Sequence, residues 1–176
     1  GIDSPENALL LLRRVDAAIG RELEGFELIP HSCLDAVLRH VPQTRAPLAT
    51  AQPWYVLLEL AGESDQALGE ALERQLAAAL DAGLIRDVVI AKSDRESEDF
   101  WRLRDSISEA ERAEGPALQH DISVPVDLMP AFIAENPGRL TSAFSGARAL
   151  SFGHLGVGHV HHHVQPPADV DGAAWL

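Results

Sequence analysis

Sulfur, aromatic rings and positive charge are all scarce in this sequence of 176 residues. Cys33 is its one cysteine, which excludes an internal disulfide and leaves a buried structural thiol as the plain reading. Lys and Arg number 14 against 27 Asp and Glu, and the resulting net charge of −13 excludes nucleic acid as a partner, because phosphates call for basic stripes. It does not exclude a small anionic substrate, since one local arginine or a metal reverses the field inside a pocket. No apolar run reaches the roughly 18 residues that span a bilayer, so no membrane insertion is expected. Residues 9–12 are too short for an export signal and follow acidic rather than basic residues, which makes the cytoplasm the expected compartment.

What is present is an alternation of helical and extended patterns. Ser4-Pro5-Glu6 reads as an N-cap followed by proline in the first turn, opening an Ala/Leu-rich helix to about Ile19. Phe26-Glu27-Leu28-Ile29 is a short strand closed by Pro30, and residues 32–40 form a second helix stopped before Pro42. Residues 43–52 carry no period and are a loop. Trp54-Tyr55-Val56-Leu57-Leu58-Glu59-Leu60 is a strong strand. Ser64-Asp65 caps a long helix ended by Gly83, and residues 87–91 (Asp-Val-Val-Ile-Ala) make the next strand. Residues 96–114 have helical periodicity, with Phe100, Trp101, Leu103 and Ile107 on the apolar side, until Gly115-Pro116 breaks it. A strand over 120–126, a helical stretch over 130–144 and a strand over 149–152 follow. This order predicts an α+β fold: a ferredoxin-like mixed or antiparallel sheet with helices packed on one face. Residues 53–176 are the expected main domain, with residues 1–52 as an N-terminal extension packed on it.

The last strand leads into Gly153-His154-Leu155-Gly156-Val157-Gly158-His159-Val160-His161-His162-His163-Val164, which holds five of the eight histidines. Three glycines in six residues point to a tight turn. If residues 159–164 are extended, His159, His161 and His163 share one face and His162 points away. His154, across the glycine turn, can come back to meet His161. Imidazoles gathered in this way bind zinc, iron, manganese or nickel. An expression tag would be a terminal run, and this one continues into Val164-Gln165-Pro166-Pro167; a surface strand with incidental histidines is the other bland reading. A dinucleotide loop fails, because the glycines read G-x-x-G-x-G and open no helix.

Trp101-Arg102-Leu103-Arg104, His120-Asp121-Ile122-Ser123-Val124-Pro125 and Gly153-His154-Leu155-Gly156 resemble, in order and spacing, the C-terminal domain of FAD-linked oxidases, the family of D-lactate, D-2-hydroxyglutarate and glycolate dehydrogenases. Pro53 to Leu60 resembles that domain's first sheet strand, and the likeness runs from about Phe26 to Pro167. The resemblance implies a cap that supplies the substrate site, while a flavin-binding domain of another fold, absent from this chain, holds FAD. It implies oxidation of a small 2-hydroxy acid to a 2-oxo acid and a divalent metal, zinc or manganese or iron, on His154 and His161. A third ligand, a glutamate in a Glu-His-Gly motif, has no counterpart before Leu176, so the isolated chain is expected not to turn over.

Arg104 matches the arginine that clamps the substrate carboxylate, and Ser108 a hydroxyl one helical turn later. Gln119 stands where the family commonly has lysine, and His163 where it has an asparagine that can touch substrate; both are substrate-side positions by the same resemblance. Gly156-Val157-Gly158-His159 replaces the usual Gly-Asp-Gly-Asn. Read from its residues alone, Arg104 is a solvated helix charge. A competing reading is a stand-alone metal-binding module built on His159, His161 and His163. A third is a degenerate cap that keeps the fold without catalysis, which the Gln119 and Val157 departures favour. Homo-oligomerisation is left open.

Overall fold

A computed structural model describes residues 1–62, 65–167 and 170. Helix α1 (Pro5–Ile19) starts as its sequence dictates: the Ser4 hydroxyl accepts from the Asn7 N–H, proline occupies the first turn, and Ala8, Leu11, Leu12 and Val15 are buried. Strand β1 (Leu23–Pro30) runs directly into α2 (His31–His40). Strand β2 (Trp54–Leu60), helix α3 (Asp65–Asp81), helices α4 (Asp94–Asp105) and α5 (Ile107–Glu114), and strand β3 (Leu118–Ser123) come next. Helix α6 (Met129–Ala143) leads to the hairpin of β4 (Arg148–His154) and β5 (His159–Gln165). The Ser64 cap expected for α3 lies outside the described residues.

The five strands form one sheet in the order β2-β1-β4-β5-β3, antiparallel at every described pairing. The α+β class with an antiparallel sheet is therefore as the sequence predicts. Side chains alternate across it. Phe26, Leu28, Leu155 and Val160 share one core cluster with residues of α1, α3 and α6. Ile29, Tyr55 and Phe152 share the other with residues of α2, α4 and α5. Helices thus occupy both faces. Residues 1–52, expected as an extension, contribute β1, the second strand of the sheet, and side chains to both clusters. Phe26-Glu27-Leu28-Ile29 is apolar on either side of the chain apart from Glu27, as befits a strand covered on both faces.

Three expected boundaries move. Residues 87–91 have the composition of a strand but join no ladder. The first residues of the chain take the neighbouring place: Ile2 exchanges both backbone hydrogen bonds with Trp54, while Arg86 donates to the Gly1 carbonyl and the Gly1 amine to that of Asp87. Residues 87–91 instead flank an apolar cavity of about 230 Å³ against β2, whose lining includes neither Arg104 nor any histidine. The helix expected over 96–114 is split at Ser106, whose ψ of −1° departs from helical geometry, giving α4 and α5. Strand β3 begins and ends earlier than 120–126, because the Val124 N–H turns to the Gly158 carbonyl and residues 126–128 form a 3₁₀ turn.

Candidate functional site

The glycine turn sets the geometry of the histidines. Residues 155–157 make one 3₁₀ turn and Gly158 follows at φ +71°, in the left-handed region. A Cβ there would meet the Val124 carbonyl oxygen at 2.0 Å, so only glycine fits. The turn returns the chain so that His154 pairs with His159 and Phe152 with His161 across the β4–β5 ladder. Alternation then puts His154, His159, His161 and His163 on the face covered by α4 and α5. His162 points to the other face, where its Nδ1 meets the Ser151 hydroxyl at 2.8 Å and its ring packs edge-on against Phe132.

Arg104, on the last turn of α4, reaches down onto this face with a side chain only 15% exposed. Its Nε donates to Glu27 Oε2 at 3.0 Å, and its Nη2 lies 3.2 Å from Nε2 of both His154 and His161. Those two imidazoles therefore aim their Nε2 lone pairs at one point, now filled by a guanidinium nitrogen. Their other nitrogens are held by carboxylates: His154 Nδ1 by Glu27 Oε1, and His161 Nδ1 by Asp121 Oδ1 at 2.7 Å. Carboxylates on both Nδ1 atoms fix the tautomer that leaves Nε2 free, the usual arrangement behind a metal-ligating histidine. Glu27 is 2% exposed and could remain there only with such partners.

Electrostatics follow from these contacts. The hydrogen bond from His161 holds the Asp121 carboxyl below the usual aspartate range. Burial, partly offset by the Asp121 hydrogen bond, pushes the His161 imidazole below the ordinary histidine value. The His162 imidazole is also lowered by burial, and the Cys33 thiol is raised well up by the same cause. Cys33 fits the reading of a buried structural thiol.

A second polar group lies deeper on the same face. His163 Nδ1 contacts Glu111 Oε2 at 2.6 Å, and the Gln119 amide donates to the same oxygen at 3.1 Å. Glu111 Oε1 has no hydrogen-bond partner among the described residues although it is buried. Of the residues singled out from sequence, the structure brings Arg104, His154 and His161 together and joins Gln119 to His163 through Glu111. Ser108 is half-buried in α5, across the break at Ser106 from Arg104, and its hydroxyl makes no hydrogen bond among the described residues. His163 is committed to Glu111 and stands apart from the trio of His159, His161 and His163 expected for a stand-alone module.

Three carboxylates escaped the sequence reading. Glu27 is the one charged residue in Phe26-Glu27-Leu28-Ile29, and Glu111 continues the apolar spacing of Leu103 and Ile107 at i+4 and i+8. A charge at a core position was the available signal in both cases. Asp121, in an alternating strand, carried none. The ligand atoms of Asp121, His159 and His161 also lie within 4.8 Å of one another. Since the Asp121 oxygen receives the His161 Nδ1 proton, its place is behind the imidazole.

The chain is similar to known proteins along nearly its whole length. Residues 1–173 match the family described as FAD linked oxidases, C-terminal domain. The chain is similar to a D-2-hydroxyglutarate dehydrogenase of Xanthomonas citri, with 36% identity over 172 residues, covering 93% of this chain and 36% of that protein. It is 32% identical over 151 residues to the mitochondrial D-2-hydroxyglutarate dehydrogenase of Arabidopsis thaliana, covering 86% of this chain and 26% of that protein. The mitochondrial enzyme of that name from Bos taurus is 31% identical over 160 residues, which are 91% of this chain and 29% of that protein. The chain thus spans about a third or less of the length of these relatives.

Proposed function

The chain belongs to the family of FAD-linked oxidase C-terminal domains, and from that premise we propose that it is the substrate- and metal-binding cap of a flavin-dependent 2-hydroxy acid dehydrogenase. The observation that carries this reading is the convergence of His154 and His161 Nε2 on one point, each ring backed by a carboxylate. Two imidazoles with carboxylates on Nδ1 fit a divalent ion such as zinc, manganese or iron. The substrate class is a D-2-hydroxy acid of the kind named for the relatives, D-2-hydroxyglutarate first.

A metal held there supplies Lewis acidity toward the substrate's hydroxyl and carboxylate, and the flavin, held mainly by a separate domain, supplies the hydride acceptor. The chain's own part is placement. Glu27 keeps one arm on Arg104 Nε and one on His154, so the arginine and the imidazole are positioned by the same buried carboxylate. His154 and His161 would hold the ion, and the Arg104 guanidinium beside them would offer Nη1 and Nη2 as two parallel N–H groups for a substrate carboxylate. Glu111 joins buried His163 and exposed Gln119 on the same face. Turnover requires the flavin-binding domain acting with this one, and a cytoplasmic location is part of the proposal.

The test uses the protein together with its flavin-binding domain and D-2-hydroxyglutarate, D-lactate and glycolate with an artificial electron acceptor. Arg104→Lys keeps the charge and loses the fork, so KM for the preferred acid should rise at least about tenfold, a loss of about 1.4 kcal/mol in binding. An unchanged KM, or no turnover of any 2-hydroxy acid by the unaltered protein, would sink the reading.

A further inference from the structure

We propose that His159 is a third metal ligand, so that this chain completes a three-imidazole site with His154, His159 and His161 from a single hairpin. The inference rests on the reading above for His154 and His161 and adds a residue that the resemblance does not supply, since the family has asparagine there.

Three observations carry it. The ring centres of His154 and His159 are 5.3 Å apart, those of His154 and His161 5.3 Å, and those of His159 and His161 4.9 Å. Three imidazoles on one tetrahedral ion, with metal–nitrogen bonds of about 2.0–2.1 Å, place their ring centres about 5 Å apart. The backbone supports the triangle: His154 and His159 are direct partners across the β4–β5 ladder, and His161 is two residues further on the same face.

His159 is also the uncommitted member. Its Nε2 faces Asp121 Oδ1 at 3.6 Å, beyond hydrogen-bond length, and its side chain makes no hydrogen bond among the described residues. A half-exposed ring with no fixed partner can turn its Nε2 toward the other two at little cost. His163, on the same strand face, is held on Glu111, and His162 faces the opposite side.

Among the described residues, the ligand atoms already within 4.8 Å of one another are those of Asp121, His159 and His161, a different set, and the three-imidazole site needs the His159 ring to turn. Binding there through His161 Nδ1 would move that ring's proton to Nε2 and set it against an Arg104 N–H, donor against donor. The Nε2 side keeps every existing carboxylate contact and displaces only Arg104 Nη2. Three histidines with an open fourth position is the donor set of a catalytic zinc site rather than a closed structural one.

The experiment is titration of the protein with Zn²⁺ by calorimetry and with Co²⁺ by its ligand-field absorption, on His154→Ala, His161→Ala, His159→Ala and His159→Asn, with the exposed His120→Ala as control. Circular dichroism confirms the fold of each. The unaltered protein should bind about one ion with a tetrahedral Co²⁺ spectrum. Each of the four site variants should weaken binding at least about tenfold, and His120→Ala by less than about twofold. If both His159 variants bind as the unaltered protein does while His154→Ala and His161→Ala do not, His159 is no ligand and the two-histidine reading survives. If the unaltered protein binds no ion, or all variants bind alike, both ideas are overturned.

Discussion

The two faces of β4 and β5 are built from alternate residues of the same short hairpin and do opposite work. Facing α1 and α6, Val160 is fully buried, and His162 is satisfied by one serine hydroxyl and packed on Phe132. Facing α4 and α5, His154, His161 and His163 each have a carboxylate on Nδ1. Adjacent histidines thus differ in kind, one a core residue with a neutral partner and its neighbours members of a charged network. Strand alternation supplies the separation, and what stands opposite each residue supplies the meaning.

Neighbouring positions on β1 offer the sharpest way to break this comparison. Leu28 is fully buried on the apolar face, so Leu28→Ala should cost about 3 kcal/mol of unfolding free energy in urea and leave Zn²⁺ affinity within about twofold. Glu27→Gln should do the reverse. It keeps the shape and loses the charge behind Arg104 and His154, lowering metal affinity about tenfold and stability by only about 1–2 kcal/mol. If both variants lose stability and metal alike, the faces are not separable.

Ser151→Ala is a smaller intervention on the apolar side. It leaves buried His162 Nδ1 without its partner, a loss of about 1 kcal/mol in the same denaturation assay, with metal binding unaffected. The smallest effect is a pH trend. The imidazoles of His161 and His162 are both depressed by burial, so the unfolded chain binds more protons than the folded one below the ordinary histidine value of about 6.5. Stability should therefore be level above that pH and fall as pH drops through and below it, read as a declining urea midpoint. A midpoint that rises on acidification would mean that one or both rings are held charged.

Much of the fold was legible because it is local. Alternation and caps gave β2 and α1, and the glycine turn with period-two histidines gave the meeting of His154 with His161. Residues 87–91 misled because their pattern is that of a strand, while a ladder needs a free edge, and Ile2 occupies the start of the β2 edge. The break at Ser106 was invisible because Leu103, Ile107 and Glu111 keep helical spacing across it. Glu27 was missed for a different reason: its partners lie 77 and 127 residues further along, and no local pattern encodes a contact of that span. Spacing put His159 on one face with His161 and His163, and the resemblance marked it as a departure from the family pattern, but that its ring lies beside His154 depends on positions that spacing does not fix.

The reach of Glu27 has a consequence for when the site becomes able to work. The histidine hairpin can form from a dozen contiguous residues, but His154 stays unbacked until β1, far earlier in the chain, zips onto β4 at Glu27 and His154. Closing so long a loop is among the slower events of assembly. On the proposed metal reading, firm binding waits for that pairing, and metal uptake would double as a report that β1 has joined the sheet.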